Sequence, residues 1–140
     1  MKSPPRNLAG LVGLVMLTTA CSAASSTPPS TTAITATLDE YSIELNVATA
    51  APGSVTFTVT NSGTMIHELV VLQTDVQAAD LPLTSGEVTE DDYTSMGEVA
   101  DLEPGASGTL TATLTAGHYA IICNLPGHVG QGMAIDFTVE

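Results

Sequence analysis

Three side chains that can bind a metal lie close together near the C-terminal end of the sequence. Cys123, His128 and Met133 occur in the segment CNLPGHVGQGM at C-x4-H-x4-M spacing, with Pro126 and three glycines between them. Glycine and proline permit a tight and irregular loop path. Such a loop can turn a thiol, an imidazole and a thioether toward one point. Because the chain has only 2 cysteines and 3 histidines, this concentration indicates a metal site.

A fourth ligand has to come from elsewhere in the chain, and His67 is the natural candidate. It follows the turn NSGTMI and begins the predicted strand HELVVL. Thiolate and thioether favour Cu(I), imidazole accepts both copper oxidation states, and two histidines, one cysteine and a weak axial methionine form the blue-copper arrangement. Zinc more often recruits several cysteines or a carboxylate. The donor types therefore favour copper.

Each candidate ligand also has a purely structural interpretation when it is taken alone. His67 could be a strand-end histidine bound to backbone, His128 a turn residue, and Met133 a core methionine. His118 serves as a comparison. Its neighbour Tyr119 occupies the same alternating, inward-facing set of positions as Cys123, so His118 falls on the opposite face of the strand. We therefore expect His118 to face solvent and not to bind metal. Met65 and Met96 are interpreted as packing residues.

The N-terminal residues 1–20 are predicted to be an export signal. Lys2 and Arg6 precede an apolar run over residues 8–20, which is the layout of such a signal. The alternative, a transmembrane anchor, needs roughly 20 apolar residues, and this run is shorter. We expect an exported protein on the outer face of the cell membrane or in the periplasm.

Cys21 is predicted to be a lipidation site. The segment TTAC resembles the lipobox of bacterial lipoproteins, although Thr18 stands where an aliphatic residue is preferred. Cleavage by another signal peptidase therefore remains an alternative, as do a spare thiol and a disulfide between Cys21 and Cys123. Residues 21–32 are rich in Ser, Thr and Pro and are predicted to form a lipid-anchored tether. The folded domain is predicted over residues 33–140.

The folded part has the period-two pattern of an all-β protein. Short alternating segments are separated by turn sequences such as APGS, EPGASG and TAG. This pattern predicts a Greek-key β-sandwich or barrel. The inward-facing sets are predicted to be Tyr41, Ile43, Leu45 and Val47; Val55, Phe57 and Val59; Leu110, Ala112 and Leu114; Tyr119, Ile121 and Cys123; and Ile135, Phe137 and Val139. Residues 75–102 break the pattern and are predicted to leave the sheets as an acidic excursion with a short helix around Glu90–Ser95.

Charge limits the classes of partner. The chain has 15 Asp and Glu against 2 Lys and Arg, and both basic residues fall in the predicted signal. Nucleic acid and anionic lipid headgroups would be repelled. Nine of the acids lie between residues 75 and 103, where they could steer a cationic partner. Solubility or adaptation to a salty or acidic habitat is the alternative explanation.

The segments NSGTMIHELVV and GHYAIICNLPGHVGQGM resemble the ligand segments of cupredoxins, the blue (type 1) copper proteins such as plastocyanin, azurin and rusticyanin. The resemblance covers about residues 33–140, and the loop spacing is longer than that of plastocyanin and resembles rusticyanin and sulfocyanin more closely. It implies one copper ion per chain, with His67, Cys123 and His128 as strong ligands and Met133 as the axial one. Many family members place Asn after the first histidine, whereas this chain has Glu68. That carboxylate would stabilise Cu(II) if it lies near the metal, and it would not if it points outward.

The resemblance also implies a path for electrons. In the family they pass through the ring edge of the loop histidine, here His128, within an apolar patch. We expect that patch to be formed by Leu125, Pro126, Val129, Met65 and Ile66.

A site filled by four protein side chains leaves no position for substrate, so we expect an electron carrier and not an enzyme. The expected partners are redox proteins such as a cytochrome and a terminal oxidase or reductase, and the chain is expected to be a monomer. Copper storage or delivery is the main alternative, which exchangeable Met-rich or His-rich tracts would favour. A surface adhesion domain is a third possibility.

Overall fold

Eleven β-strands form the framework of residues 31–140, the part of the chain that the computed structural model describes. The strands are β1 (Thr32–Asp39), β2 (Ser42–Leu45), β3 (Thr49–Ala50), β4 (Gly53–Asn61), β5 (His67–Gln73), β6 (Leu83–Thr84), β7 (Glu87–Val88), β8 (Thr94–Leu102), β9 (Ser107–Leu114), β10 (Gly117–Ile122) and β11 (Ala134–Val139). The predicted signal, Cys21 and all but the end of the predicted tether lie outside the described residues. Within residues 31–140 no helix is long and apolar enough to cross a membrane.

The strands form two main sheets and a small ribbon. One sheet has the order β2-β1-β4-β9, the other has the order β3-β11-β10-β5-β8, and β6 pairs with β7. The pairs β1–β4 and β3–β11 are parallel, and the other pairs are antiparallel. Non-consecutive strands lie side by side in both sheets, so the predicted Greek-key β-sandwich is confirmed.

Alternating side chains from both sheets fill the main core. Val55, Phe57 and Val59 of β4 are fully buried, as the period-two pattern predicted. Phe57 contacts Phe137 of β11 edge to face, with ring centroids 5.9 Å apart. This contact joins the two sheets near their centres.

The first predicted strand is wrong at both ends. Val47 is 39% exposed and lies beyond β2, and Tyr41 is only partly buried in the turn before it. The strand that fills this part of the core is β1, whose inward positions are Ile34, Ala36 and Leu38. It was missed because small Thr and Ala residues make its alternation weak.

The prediction for residues 75–102 is wrong over its last nine residues, because residues 94–102 form β8 at the edge of the five-stranded sheet. The register of β8 against β5 shifts twice, and such bulges break the period-two pattern. The predicted helix is also wrong over residues 94–95. Within the predicted helix a single 3₁₀ turn forms, at Glu90–Asp92.

The first half of that stretch covers the outer face of the five-stranded sheet. Ala78, Leu81 and Val88 pack there in a second apolar cluster with β5 and β10 residues such as Val70 and Ile122. This covering explains why β5 and β10 are buried on both faces. Both strands are therefore held firmly where they approach the candidate ligands.

Candidate metal centre

The sulfur of Cys123 lies immediately after β10, at one end of the sandwich. The backbone N–H of Cys123 donates to the carbonyl oxygen of Met133 at 3.0 Å, which closes the loop that follows. Within this loop the Nδ1 atom of His128 lies 3.3 Å from Cys123 Sγ. The C-x4-H spacing thus brings the thiol and the imidazole together, as predicted.

His67 completes the group from a neighbouring strand. It is the first residue of β5, which runs antiparallel beside β10, so the start of β5 lies near the end of β10. His67 Nδ1 is 3.8 Å from Cys123 Sγ, and the candidate donor atoms of His67, Cys123 and His128 all lie within 4.8 Å of one another. The three residues are 0%, 0% and 6% exposed. The arrangement joins one sulfur and two imidazole nitrogens in a buried space.

Met133 lies on the same loop and is fully buried. Its backbone N–H donates to the carbonyl oxygen of His128 at 3.1 Å. Gly132, just before it, has a φ of 120°, and a Cβ added there would lie 3.1 Å from the carbonyl oxygen of Tyr41. The glycine therefore lets the loop turn sharply against the β1–β2 connection. Met133 is thereby tied to both Cys123 and His128 through the backbone.

Asn61 fixes the turn that leads into His67, a role that sequence analysis missed. Its buried side chain donates to the carbonyl oxygens of Met65 and Leu102, both at 2.7 Å, and accepts the N–H of Gly63 at 2.9 Å. The NSG turn signal marked the position but not these long-range contacts.

Glu40 is a second residue that sequence analysis missed. Its Oε1 atom accepts the N–H groups of Thr64 and Met65 at 2.7 and 2.8 Å, and lies 3.2 Å from His67 Nε2. The Met65 N–H, together with those of Thr64 and His67, outweighs partial desolvation and lowers the pKa of Glu40 to about 2. Glu40 is therefore ionised at neutral pH. No motif in the sequence marks it.

Asn124 braces the loop on the other side of Cys123. Its Oδ1 atom accepts the N–H of Val88 at 2.7 Å, and its Nδ2 atom donates to Val88 O at 3.0 Å and to Glu90 Oε1 at 2.9 Å. These bonds attach the residue next to the sulfur to β7. The segment that covers the outer face of the five-stranded sheet therefore also supports the candidate metal site.

Burial affects the protonation of both ligand types. It raises the pKa of the Cys123 thiol, against hydrogen bonds from the backbone of Glu68 and Leu125. Burial, with repulsion from His67, lowers the pKa of His128. A neutral imidazole is the form that binds metal, whereas the thiol has to lose its proton. Metal uptake is therefore expected to release a proton from Cys123.

Glu68, the residue in the position of the family's asparagine, is half-buried. Burial, assisted by the charges of Glu98 and Glu90, raises its pKa to about 7. Its backbone N–H donates to Cys123 Sγ at 3.4 Å. The backbone at this position thus contacts the sulfur, while the side chain belongs to an acidic group beside the site.

The remaining sequence predictions for the site have mixed outcomes. His118 lies apart from the three clustered donors; its ring contacts Thr74 O at 2.7 Å and Asp136 Oδ1 at 2.9 Å. Its side chain is 25% exposed, so it faces solvent only in part. Val129 is buried in the outer cluster and does not belong to the apolar surface patch.

Comparisons with known proteins agree with this architecture. The protein-family model of the sulfocyanin (SoxE) domain matches residues 15–140. The chain belongs to the sulfocyanin family. This sulfocyanin-family chain is thus a member of the cupredoxins, which are electron-transfer proteins and not enzymes. No curated protein sequence is significantly similar to it.

Solved structures show the same fold at low sequence identity. Rusticyanin from Thiobacillus ferrooxidans is 21% identical with a TM-score of 0.61, over 79% of this chain and 77% of that one. Auracyanin from Roseiflexus castenholzii is 20% identical with a TM-score of 0.55, over 79% and 96%. The azurin Az-iso2 from Methylomonas sp. strain J is 16% identical with a TM-score of 0.58, over 78% and 98%. At these identities the likeness concerns the fold of the sulfocyanin-family chain.

The donor set of this sulfocyanin-family chain fits copper on chemical grounds. One thiol and two imidazole nitrogens can surround an ion with nearly trigonal geometry, which suits both copper oxidation states. No carboxylate belongs to the group of clustered donors found among the described residues. A buried set of this kind is suited to holding one ion tightly.

Proposed function

We propose that this protein is a type 1 copper protein that carries single electrons between extracytoplasmic redox partners. The observation that carries the proposal is the convergence of Cys123 Sγ with the Nδ1 atoms of His67 and His128 in a buried space. His67, Cys123 and His128 would be the strong ligands. Met133 would be the axial ligand, supported by its full burial and its backbone bonds to the other loop ligands.

A copper ion held by these donors supplies a one-electron couple between Cu(II) and Cu(I). The protein contributes a rigid frame, because Asn61 and Asn124 hold the two ligand segments through buried hydrogen bonds. A fixed donor geometry limits the rearrangement that accompanies a change of charge. Burial of the donors excludes water and leaves little room for a substrate.

The proposed electron path runs through His128. Its ring lies beneath a surface depression that is also lined by Met65, Ile66, Leu125 and Pro126. Met65 and Ile66 are 42% and 40% exposed, and with Leu125 and Pro126 they form a contiguous apolar surface. An apolar surface of this kind allows close approach of a partner without the cost of removing tightly bound water.

Charge around this depression favours a cationic partner. Asp101 and Glu103 line the same depression, and residues 31–140 contain no Lys or Arg. A cytochrome with basic residues around its exposed haem edge would complement this rim. The partner on the other side of the electron path would be a terminal oxidase or reductase.

An extracytoplasmic location is part of the same proposal. It is supported by the signal-like pattern of residues 1–20 and by the lipobox-like segment that ends at Cys21. A lipid anchor at Cys21, followed by the Ser/Thr/Pro-rich tether, would keep the carrier near membrane-bound partners. Globomycin sensitivity and metabolic labelling with a radioactive fatty acid would test the anchor, with Cys21→Ala as the control.

Addition of Cu(II) to the purified full chain tests the copper assignment. We expect an intense visible thiolate-to-copper absorption that disappears on mild reduction and returns on oxidation. Cys123→Ser should abolish this absorption, because the serine oxygen does not provide a comparable charge-transfer donor. A colourless complex, or one that cannot be reduced and reoxidised, would contradict the proposal and favour storage or delivery.

A further inference from the structure

Glu40 makes three hydrogen bonds to the turn that carries the first candidate ligand. It directly follows β1, 27 residues before His67 in the chain. One carboxylate oxygen, Oε1, accepts from the backbone of Thr64 and Met65 and lies 3.2 Å from His67 Nε2. The side chain is 23% exposed, whereas the His67 side chain is fully buried. The contact between Glu40 and His67 therefore lies just below the protein surface.

This contact determines which nitrogen of His67 is available. A carboxylate can only accept, so His67 Nε2 must carry a proton and donate it to Glu40. The neutral ring then presents Nδ1 as a lone pair, and Nδ1 is the atom that faces Cys123 Sγ at 3.8 Å. Glu40 thus selects the tautomer that can bind the metal.

Gly63 leaves the space that the carboxylate occupies. A Cβ added at Gly63 would lie 2.5 Å from Glu40 Oε1 and 2.9 Å from its carboxyl carbon. Any side chain at this position would push the carboxylate away from the turn. The contact between Glu40 and the NSG turn therefore depends on glycine at position 63, although the two segments are distant in sequence.

We infer that Glu40 is a positioning residue for the proposed copper site: it holds His67 in the metal-binding tautomer and orientation, and its negative charge keeps the reduction potential low. The inference rests on the proposed function and extends it to a residue outside the ligand set. Carboxylates bound to ligand histidines fix the ring orientation and raise ligand basicity in metal sites generally. A fixed negative charge near the ion stabilises the more positive oxidised state.

Three variants separate geometry from charge. Glu40→Gln keeps an oxygen acceptor for the Thr64, Met65 and His67 donors but removes the charge. Glu40→Ala removes both. Gly63→Ala leaves Glu40 intact but displaces its carboxylate. Glu44→Gln is the matched control, because Glu44 is an exposed acid on the adjacent β2.

The first readout is the His67 tautomer in the full-length apoprotein, measured from ¹⁵N shifts of the imidazole nitrogens. We expect protonation at Nε2 in the wild type, Glu44→Gln and Glu40→Gln, and a mixture of tautomers in Glu40→Ala and Gly63→Ala. A wild-type ring that carries its proton at Nδ1, or an unchanged tautomer in both disruptive variants, would overturn the inference. This measurement needs no copper, so it remains decisive if the copper assignment fails.

The second readout is the reduction potential of the copper-loaded full chain. We expect Glu40→Gln to raise it above that of Glu44→Gln while the thiolate absorption persists. Equal potentials in these two variants would contradict the charge role. If Glu40→Ala does not fold, Gly63→Ala and Glu40→Gln still test geometry and charge separately. Absence of copper binding in the wild type would instead refute the proposed function.

Discussion

The backbone N–H of Glu68 donates to the sulfur of Cys123 at 3.4 Å, across 55 positions of sequence. The bond joins the start of β5 to the loop after β10 without using the Glu68 side chain. Substitution of that side chain should therefore leave the sulfur contact in place. The carboxylate can be changed to test its own electrostatic contribution.

Glu68→Gln is expected to flatten the pH dependence of stability in the reduced apoprotein. Because burial, Glu98 and Glu90 raise the folded-state pKa from 4.5 to about 7, the folded state binds the proton more tightly than the unfolded state does. This contribution is fully present below pH 4.5 and is lost as the pH rises through 7. Because the carboxyl is partly solvated, the unfolding free energy should fall by only roughly 1–2 kcal/mol across this pH range.

Urea unfolding from pH 4 to 8 measures this effect, with Glu44→Gln as the control. The glutamine variant should gain stability relative to wild type at pH 8. Parallel curves for wild type and Glu68→Gln across this range would contradict the assigned pKa.

His67→Ala should change the colour of the copper-loaded protein, whereas His118→Ala should change only its stability. The first removes a proposed ligand, so the thiolate-to-copper absorption should be lost or strongly shifted. The second breaks the contacts with Thr74 and Asp136 and should cost about 1 kcal/mol of unfolding free energy while the spectrum stays unchanged. Visible spectra and thermal unfolding of both variants check this. Loss of the absorption in His118→Ala would show that the ligand set is wrong.

Met133→Leu should raise the reduction potential and leave the fold intact. Leucine conserves the volume of the buried side chain, so the expected loss of stability is below about 1.5 kcal/mol, but it removes the sulfur donor from the proposed site. Met96→Leu is the matched control, because Met96 packs against the main core from β8. Redox titrations of the two copper-loaded variants compare them. Equal potentials would exclude Met133 as an axial ligand.

The double substitution Asp101→Asn with Glu103→Gln should slow electron exchange with a basic cytochrome. These acids line the depression above His128, and loss of two charges should reduce the rate about 2- to 10-fold at low ionic strength. The salt dependence should also weaken. Asp91→Asn with Asp92→Asn changes the same charge outside the depression. Stopped-flow measurements at several salt concentrations give the exchange rates of both double variants. Equal rates would mean that the total charge, and not the position of the acids, controls electron exchange.

The sequence indicated the clustered donors more clearly than the residues that support them. His67, Cys123 and His128 could be found because their donor types and spacing are rare in a chain with so few cysteines and histidines. Glu40 could not be found in this way, because it is one of fifteen acidic residues. Its role depends on the fold, which places it beside the turn at Gly63. Asn61 was visible only as a turn residue, since its partner Leu102 is distant in sequence.

The limits for the fold have a similar cause. Period-two patterns identified β4 and β9 because one face of each is buried and the other is solvated. The pattern identified β10 by its inward residues but did not predict that the outer cluster buries the other face, and it missed β8, where bulges shift the register. Both failures arise from tertiary contacts and not from local preferences.

The position of β11 in its sheet has a consequence for how the protein matures. This C-terminal strand lies between β3 and β10, and Met133 directly precedes it. β11 pairs with β10 over its whole length and joins β3 to the sheet, and the Cys123 N–H bond to Met133 O closes the ligand loop where β11 begins. The loop that carries Cys123, His128 and Met133 is therefore closed only when β11 has docked on β10, so we expect metal binding to come late in folding.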